Sequence, residues 1–159
     1  MIKVLNLLHD LVDRKTALFL SGGSTPKDLY AKIAKDKKLI PGAVAMVDER
    51  YGKRFHKDSN ELMIKNTGLI SYFEKNNIRF YSILQKDTKR EDTALQYDET
   101  VSFLLSHFPK SVAILGIGVD GHTAGLPARL DSAKRAGVQS SKFSPRGEAG
   151  KVQNERLVI

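Results

Sequence analysis

The sequence predicts an α/β fold in which an open, mostly parallel sheet carries helices on both faces. Short unbroken apolar runs, the form of strands buried on both faces, alternate along the chain with amphipathic stretches of helical spacing. Such alternation is typical of crossover units, which join parallel strands through helices. Glycine-rich or charged residues follow three of the four predicted strands, where ligands bind in open parallel sheets.

The first third of the chain predicts two helix–strand pairs. Apolar residues at helical spacing indicate a helix over about 2–14, and the apolar run 17–20 indicates a buried strand. A second helix follows, with Ser24 or Thr25 as its N-cap. A Pro-Gly break then precedes a second buried strand at 43–47. Together these elements predict the start of a parallel sheet.

The middle of the chain continues the same alternation. A capping cluster at 58–60 starts a helix that Gly68 stops, and a third strand is predicted at 78–83. A long helix over about 91–108 leads to a fourth strand at 112–115. The apolar residues of the long helix that we expect to face broadly inward are Leu95, Tyr97, Val101, Leu104 and Leu105.

Composition narrows the class of protein. The chain has 159 residues, a net charge of +8 and no cysteine, and it shows neither a signal peptide nor a transmembrane run, so a cytoplasmic protein is expected. Its lysines are scattered at helical surface spacing and no nucleic-acid motif is present, so nucleic acid is not expected as a partner. No apolar run approaches the roughly 18 residues of a membrane span, so no membrane is expected either, and no feature indicates an oligomeric state. We expect residues 1–127 to form the α/β domain. Residues 128–159 then form an irregular basic tail, either disordered or a partial continuation of that domain.

The first candidate site is the loop after the first strand, residues 21–26, Ser-Gly-Gly-Ser-Thr-Pro. Two glycines let the backbone turn tightly and approach a ligand, and the next helix presents free N–H groups and its positive dipole end. This arrangement suits a phosphate. The loop lacks the Gly-Lys-Ser/Thr ending of a Walker loop. The alternative is an ordinary strand-to-helix turn.

The second candidate is the charged triplet after the second strand, Asp48, Glu49 and Arg50. Charges buried without partners are costly, so a role is expected for each of them. One carboxylate could act as a base and the other could neutralise Arg50, which could itself reach a phosphate or carboxylate. The alternative is a solvated loop with an internal ion pair.

The third candidate follows the fourth strand, where three glycines surround an acid and a histidine. Gly116, Gly118 and Gly121 allow close folding around a small ligand. Asp120 lies two residues before His122, so it could orient the imidazole, the natural proton carrier near neutral pH, or take part in the reaction itself. The alternative is a glycine-rich turn with an incidental histidine. No spacing of His, Asp and Glu indicates a metal site.

These three segments, in this order, resemble the 6-phosphogluconolactonase and glucosamine-6-phosphate deaminase/isomerase superfamily over about residues 18–126. The Asp-Glu-Arg triplet resembles the lactonase form, whereas deaminases usually carry Asp-Glu-Tyr. Residues 116–124, Gly-Ile-Gly-Val-Asp-Gly-His-Thr-Ala, are the most specific match, and residues 123–127 lack the carboxylate that deaminases place there. The resemblance therefore favours the lactonase branch, with a truncated or divergent C-terminal region.

The resemblance implies a Rossmann-like three-layer sandwich and a hydrolase of carbohydrate metabolism, a 6-phosphogluconolactonase of the pentose phosphate pathway type. It implies hydrolysis of a phosphorylated sugar lactone, with His122 as general base on water and Asp120 orienting it. No metal or organic cofactor is implied, and the expected partner is a small sugar phosphate. The residues implied to bind substrate are Gly22, Gly23, Ser24, Thr25, Arg50, Gly118 and Gly121.

Two other functions remain open at this point. In a sugar-phosphate isomerase or deaminase of the glucosamine-6-phosphate type, Asp48 would abstract a proton next to the carbonyl and His122 would help to open the ring. A non-catalytic or decayed sugar-phosphate-binding protein is the third reading, and the unusual tail favours it.

Overall fold

The structure, a computed structural model, describes residues 2–117 and the backbone of 156–158. Within these residues the helices are α1 (Ile2–Leu11), α2 (Ser24–Asp36), α3 (Asn60–Asn66), α4 (Leu69–Lys75) and α5 (Arg90–His107). The strands are β1 (Thr16–Leu20), β2 (Ala43–Met46), β3 (Asp48–Arg50), β4 (Arg79–Tyr81), β5 (Lys110–Ile114) and β6 (Arg156–Val158).

The described strands form one parallel sheet and one small antiparallel pair. The parallel sheet has the order β4-β2-β1-β5. Its register places Leu20 of β1 between Met46 of β2 and Ile114 of β5, so these three strands end at the same level. The antiparallel pair joins β3 to β6, with Glu49 opposite Leu157.

Helices cover both faces of the parallel sheet. The connection through α2 moves from β1 to β2, and α3 and α4 continue in the same direction to β4, in contact with α2. Helix α5 returns across the sheet from β4 to β5. Because parallel crossovers are right-handed, the return places α5 on the opposite face. The predicted open α/β sheet with helices on both faces is confirmed.

The core lies between the sheet and these helices. Strands β1 and β2 are almost wholly buried, as their unbroken apolar runs predict, and α2 and α4 cover them with Tyr30, Ile33 and Phe73. Helix α1 adds Leu5 and Leu8. Every helix in the described part of the chain is too short or too polar to span a bilayer.

Two predicted helix features are corrected by the structure. Helix α1 ends at Leu11 instead of residue 14, because the Asp13 carboxylate accepts hydrogen bonds from the Lys15 N–H (2.8 Å) and the Thr16 hydroxyl (3.0 Å) and forms a turn. Leu95 and Leu105 of α5 are 64% and 53% exposed, so the prediction that they face inward is wrong.

Strand β4 is shorter than predicted, and a tyrosine explains why. Pairing between β2 and β4 stops at Ala45 opposite Tyr81. At Met46, the next residue, the Tyr97 hydroxyl of α5 takes the place of a strand partner. It accepts from the Met46 N–H and donates to the Met46 carbonyl, both at 2.7 Å.

Candidate functional site

The segments that the sequence singled out converge at one edge of the parallel sheet. Just past the ends of the strands, the Ser21 N–H donates to the Ile114 carbonyl (3.1 Å) and the Val47 N–H donates to the Leu20 carbonyl (2.9 Å). The glycine loop, the charged triplet and the segment after β5 therefore all start at this edge. The segment that directly follows β5 is described as far as Ile117.

The glycine loop differs from its prediction in one detail. Gly23, not Ser24 or Thr25, is the N-cap of α2, with φ 98° and ψ 172°. That region of backbone space is essentially restricted to glycine. No side chain caps the first N–H groups of α2, and Ser24 and Thr25 lie exposed in its first turn. The helix start thus presents backbone donors and two hydroxyls to solvent, which suits an anion.

Ser21 forms the buried floor of this loop. It is 2% exposed, and its hydroxyl has no hydrogen-bond partner within the described part of the chain. Its carbonyl accepts from the Tyr30 hydroxyl at 2.8 Å. Burial raises the pKa of Tyr30, and the nearby Asp48 charge raises it further, so the phenol remains a donor.

Glu49 of the charged triplet is a structural carboxylate. It is 1% exposed, so the solvated-loop alternative is wrong for this residue. Its two oxygens accept from the N–H groups of Arg50 (2.7 Å), Asn60 (2.7 Å) and Glu61 (2.8 Å) and from the Ser59 hydroxyl (3.0 Å). A negative charge held by these donors stabilises the start of α3.

Asp48 and Arg50 have different environments from Glu49. Asp48 is 5% exposed and lies next to the ends of β1 and β2. The Arg50 guanidinium donates through Nη1 to the Asp58 carbonyl (2.9 Å) and to Asn60 Oδ1 (2.7 Å). The carboxylate of Glu49 therefore contacts the backbone of Arg50, whereas the guanidinium is held by neutral oxygens.

His56 also contacts the backbone of Arg50 and Asp58. Its Nδ1 accepts from the Asp58 N–H at 3.3 Å, and its Nε2 lies 2.9 Å from the Arg50 carbonyl. Because Nδ1 is an acceptor here, the hydrogen belongs on Nε2, which donates to Arg50. Both the backbone and the side chain of Arg50 are thus fixed.

Asn60 joins the charged triplet to the glycine loop. Its Nδ2 donates to the Asp48 carbonyl (3.0 Å), and its Oδ1 accepts from Arg50. A methyl group at Gly22 would overlap this amide. Gly22 has no positive φ, so glycine is required there by the close approach of Asn60. From the sequence, Asn60 was expected in a capping cluster and in a Ser-Asn pair that resembles the lactonase pattern, but its contact with the glycine loop was not predicted. The signal for that contact was the glycine at position 22.

A second buried carboxylate anchors the loop between β3 and α3. Glu61 is 1% exposed and accepts from Arg54 Nη2 (2.6 Å) and the Ser82 hydroxyl (2.5 Å). The Phe55 ring is flanked by the Arg54 guanidinium at 4.7 Å and the Lys65 ammonium at 4.3 Å. Phe55 of the loop therefore packs between two cations, Arg54, which is paired with Glu61, and Lys65 of α3.

The structure brings part of the predicted site together. Gly22, Gly23, Ser24, Thr25, Asp48 and Arg50 lie at the same sheet edge. Gly118, Asp120, Gly121 and His122 lie outside the described residues. Between residues 2 and 117, no group of three or more His, Asp or Glu side chains is placed to hold a metal ion.

Known proteins match the chain over most of its length. The family described as glucosamine-6-phosphate isomerases/6-phosphogluconolactonase matches residues 3–148. A 6-phosphogluconolactonase of Nostoc sp. is 35% identical over 115 residues, which cover 67% of this chain and 47% of the relative. One of Xylella fastidiosa is 32% identical over 134 residues, which cover 80% of this chain and 52% of the relative.

Solved structures give the same result. A 6-phosphogluconolactonase from Shewanella baltica has a TM-score of 0.57 at 27% identity, covering 77% of this chain and 52% of that chain. One from Plasmodium vivax has a TM-score of 0.60 at 27% identity, covering 79% and 45%. The chain spans about half the length of the curated relatives it matches. With the sheet-edge geometry and a match from residue 3 to residue 148, the chain belongs to the glucosamine-6-phosphate isomerase/6-phosphogluconolactonase family.

Proposed function

We propose that the chain hydrolyses a phosphorylated sugar lactone, as its relatives' name, 6-phosphogluconolactonase, describes. The observation that carries the proposal is the meeting of the glycine loop and Arg50, through Asn60, at one edge of the sheet. Strand β5 ends at that edge and leads directly to the segment with Asp120 and His122. A substrate anchored by the loop therefore lies where that segment begins.

The phosphate of the substrate binds at the start of α2. The uncapped N–H groups after Gly22 and Gly23 and the hydroxyls of Ser24 and Thr25 supply neutral donors. Arg50 adds a positive charge that is not neutralised by Glu49. Backbone donors, a helix dipole and a guanidinium together are a strong combination for a phosphate dianion.

The chemistry is assigned to the segment after β5. His122, oriented by Asp120, takes a proton from water as the water oxygen bonds to the lactone carbonyl carbon. Backbone N–H groups near Gly118 and Gly121 stabilise the oxyanion, and the ester C–O bond then breaks. The ring oxygen leaves as a hydroxyl with the proton that His122 accepted, and the product is a carboxylic acid. A positioned base contributes about 10²–10⁴ in rate.

Asp48 supports a second candidate, the isomerase or deaminase reaction that shares this family. A buried carboxylate at the sheet edge is the type of group that removes a proton next to a carbonyl. In that reaction Asp48 is the base, and His122 assists opening of the sugar ring.

Three substrates separate these functions. The full chain is assayed with 6-phosphogluconolactone, with the same lactone lacking its phosphate, and with glucosamine 6-phosphate. The proposal predicts acceleration above background for the phosphorylated lactone and a much smaller effect on the unphosphorylated one. Ammonia release from glucosamine 6-phosphate would support the deaminase instead. Binding of 6-phosphogluconate without turnover of any substrate would indicate a binding protein.

A further inference from the structure

We propose that Asn60 is a positioning residue that holds the Arg50 guanidinium against the glycine loop and so assembles the phosphate site before substrate binds. The inference rests on the proposed function, because it assigns a role to Asn60 in the same site. Asn60 is 2% exposed, so it does not face substrate, and it acts through Arg50.

The orientation of the Asn60 amide is fixed by its partners. Arginine can only donate, so the atom 2.7 Å from Arg50 Nη1 must be the amide oxygen. A backbone carbonyl can only accept, so the atom 3.0 Å from the Asp48 carbonyl must be the amide nitrogen. The backbone N–H of Asn60 donates to Glu49 Oε1 at 2.7 Å. The amide oxygen, the amide nitrogen and the backbone N–H of Asn60 therefore each have a definite partner.

The amide is the group that connects Arg50 to the glycine loop. Arg50 is also held by the Asp58 carbonyl, but that contact belongs to the loop leading into α3. The Asn60 amide packs directly on Gly22, so it sets the distance between the guanidinium and the start of α2. A long flexible arginine that is already oriented loses less freedom when an anion binds.

The first test measures binding of 6-phosphogluconate to the full chain by calorimetry. Asn60→Ala is expected to weaken binding by about tenfold in the presence of Arg50, and to have no further effect in an Arg50→Ala background. Asn76→Ala is the matched control, since it removes an equivalent amide whose Nδ2 donates to the Tyr72 carbonyl at 2.8 Å, outside the site. If Asn60 has a purely structural role, Asn60→Ala will weaken binding equally with Arg50 present and in the Arg50→Ala background, and that result would overturn the inference.

The second test uses the contact with Gly22 and needs no ligand. Gly22→Ala is expected to lower the melting temperature because its methyl group meets the Asn60 amide, and Asn60→Ala is expected to relieve part of that loss. Purely additive effects of the two changes would overturn the proposed contact. Asn60→Ser, whose hydroxyl is too short to reach Arg50, replaces Asn60→Ala in both tests if the alanine variant does not fold.

The outcomes separate this inference from the proposed function. If the unmodified chain binds 6-phosphogluconate but binding is insensitive to Asn60, the inference fails and the sugar-phosphate site stands. If the unmodified chain does not bind 6-phosphogluconate, both fail together.

Discussion

At the scale of single residues, Glu49 has a structural role that its position next to Arg50 does not reveal. Its carboxylate accepts hydrogen bonds from the backbone of three residues and from the Ser59 hydroxyl. Ser59 in turn accepts from the Leu62 N–H at 3.1 Å as the N-cap of α3. The strand end and the helix start are thereby fixed to each other, and Arg50 and Asn60 are fixed with them.

Replacing this carboxylate by its amide should destabilise the protein. Glu49→Gln turns one acceptor into a donor that faces existing donors, so we expect the free energy of unfolding to fall by about 1–3 kcal/mol. Urea denaturation followed by circular dichroism measures the change. Glu74→Gln, at an exposed position of α4, is the control and should change the stability by less than about 0.5 kcal/mol. Equal effects of the two substitutions would contradict the structural role.

Single-residue predictions from sequence succeeded where the cause is local. The capping cluster predicted at 58–60 is confirmed, since Ser59 caps α3 with a bond that lies within three residues. The prediction of Ser24 or Thr25 as the cap of α2 was wrong, because Gly23 occupies the cap in a backbone conformation specific to glycine. The role of Asn60 depends on Gly22, which is distant in sequence and adjacent only after folding.

At the scale of elements, Tyr97 attaches α5 to the end of β2. Its hydroxyl satisfies both backbone groups of Met46, two residues before Asp48. Helix α5 therefore helps to set where β2 stops and where the site begins. Burial raises the pKa of Tyr97, which keeps its hydroxyl protonated for both bonds.

Removing the Tyr97 hydroxyl should lower the free energy of unfolding more than removing another buried tyrosine hydroxyl. Tyr97→Phe leaves two buried backbone groups without partners, whereas Tyr72→Phe leaves only the Leu39 carbonyl, which Tyr72 reaches at 3.0 Å. We expect the free energy of unfolding to fall by about 2–4 kcal/mol for Tyr97→Phe and by about 1–2 kcal/mol for Tyr72→Phe. Thermal unfolding of both variants tests the order. A smaller loss for Tyr97→Phe would show that it does not hold β2.

The turn between α1 and β1 predicts a dependence of stability on pH. A hydrogen bond from Lys110 Nζ at 2.5 Å and one from the Lys15 N–H lower the pKa of Asp13 from 3.8 to about 2. A carboxyl whose pKa is lower in the folded state stabilises the fold above its unfolded pKa and loses that effect as pH falls through the folded value. The stability difference between the unmodified chain and Asp13→Asn should therefore shrink between about pH 4 and pH 2. A difference that stays constant over this range would contradict the contact.

Local patterns also explain which elements sequence could predict. Apolar runs located β1 and β2 within one residue, because strands buried on both faces need such runs. A similar run located β5 within two residues, although that strand is exposed or half-buried. Strand β3 was read as a charged segment, since its partner β6 lies more than a hundred residues later in the chain. In α5 the apolar residues are spread around the helix, so periodicity alone did not separate the buried Tyr97 from the exposed Leu95.

At the scale of the whole molecule, the fold places several chemically distinct groups at one edge of a sheet. The glycine loop, Asp48 and Arg50 reach that edge from β1 and β2. Strand β5, which precedes the segment with His122 in the sequence, ends at the same edge. This convergence follows from parallel topology, and for that reason sequence order and strand ends were enough to predict it. The chain covers about half of its curated relatives, so lactone hydrolysis by this length of chain is the central claim to test.

The most direct measurement is the rate of 6-phosphogluconolactone hydrolysis, coupled to a dehydrogenase that consumes the acid, for the unmodified chain and for His122→Ala. We predict acceleration over the uncatalysed rate that falls by about 10²–10⁴ in the variant, while 6-phosphogluconate still binds to both. Hydrolysis at the uncatalysed rate by the unmodified chain would contradict lactonase activity, and equal acceleration by both proteins would contradict His122 as the base.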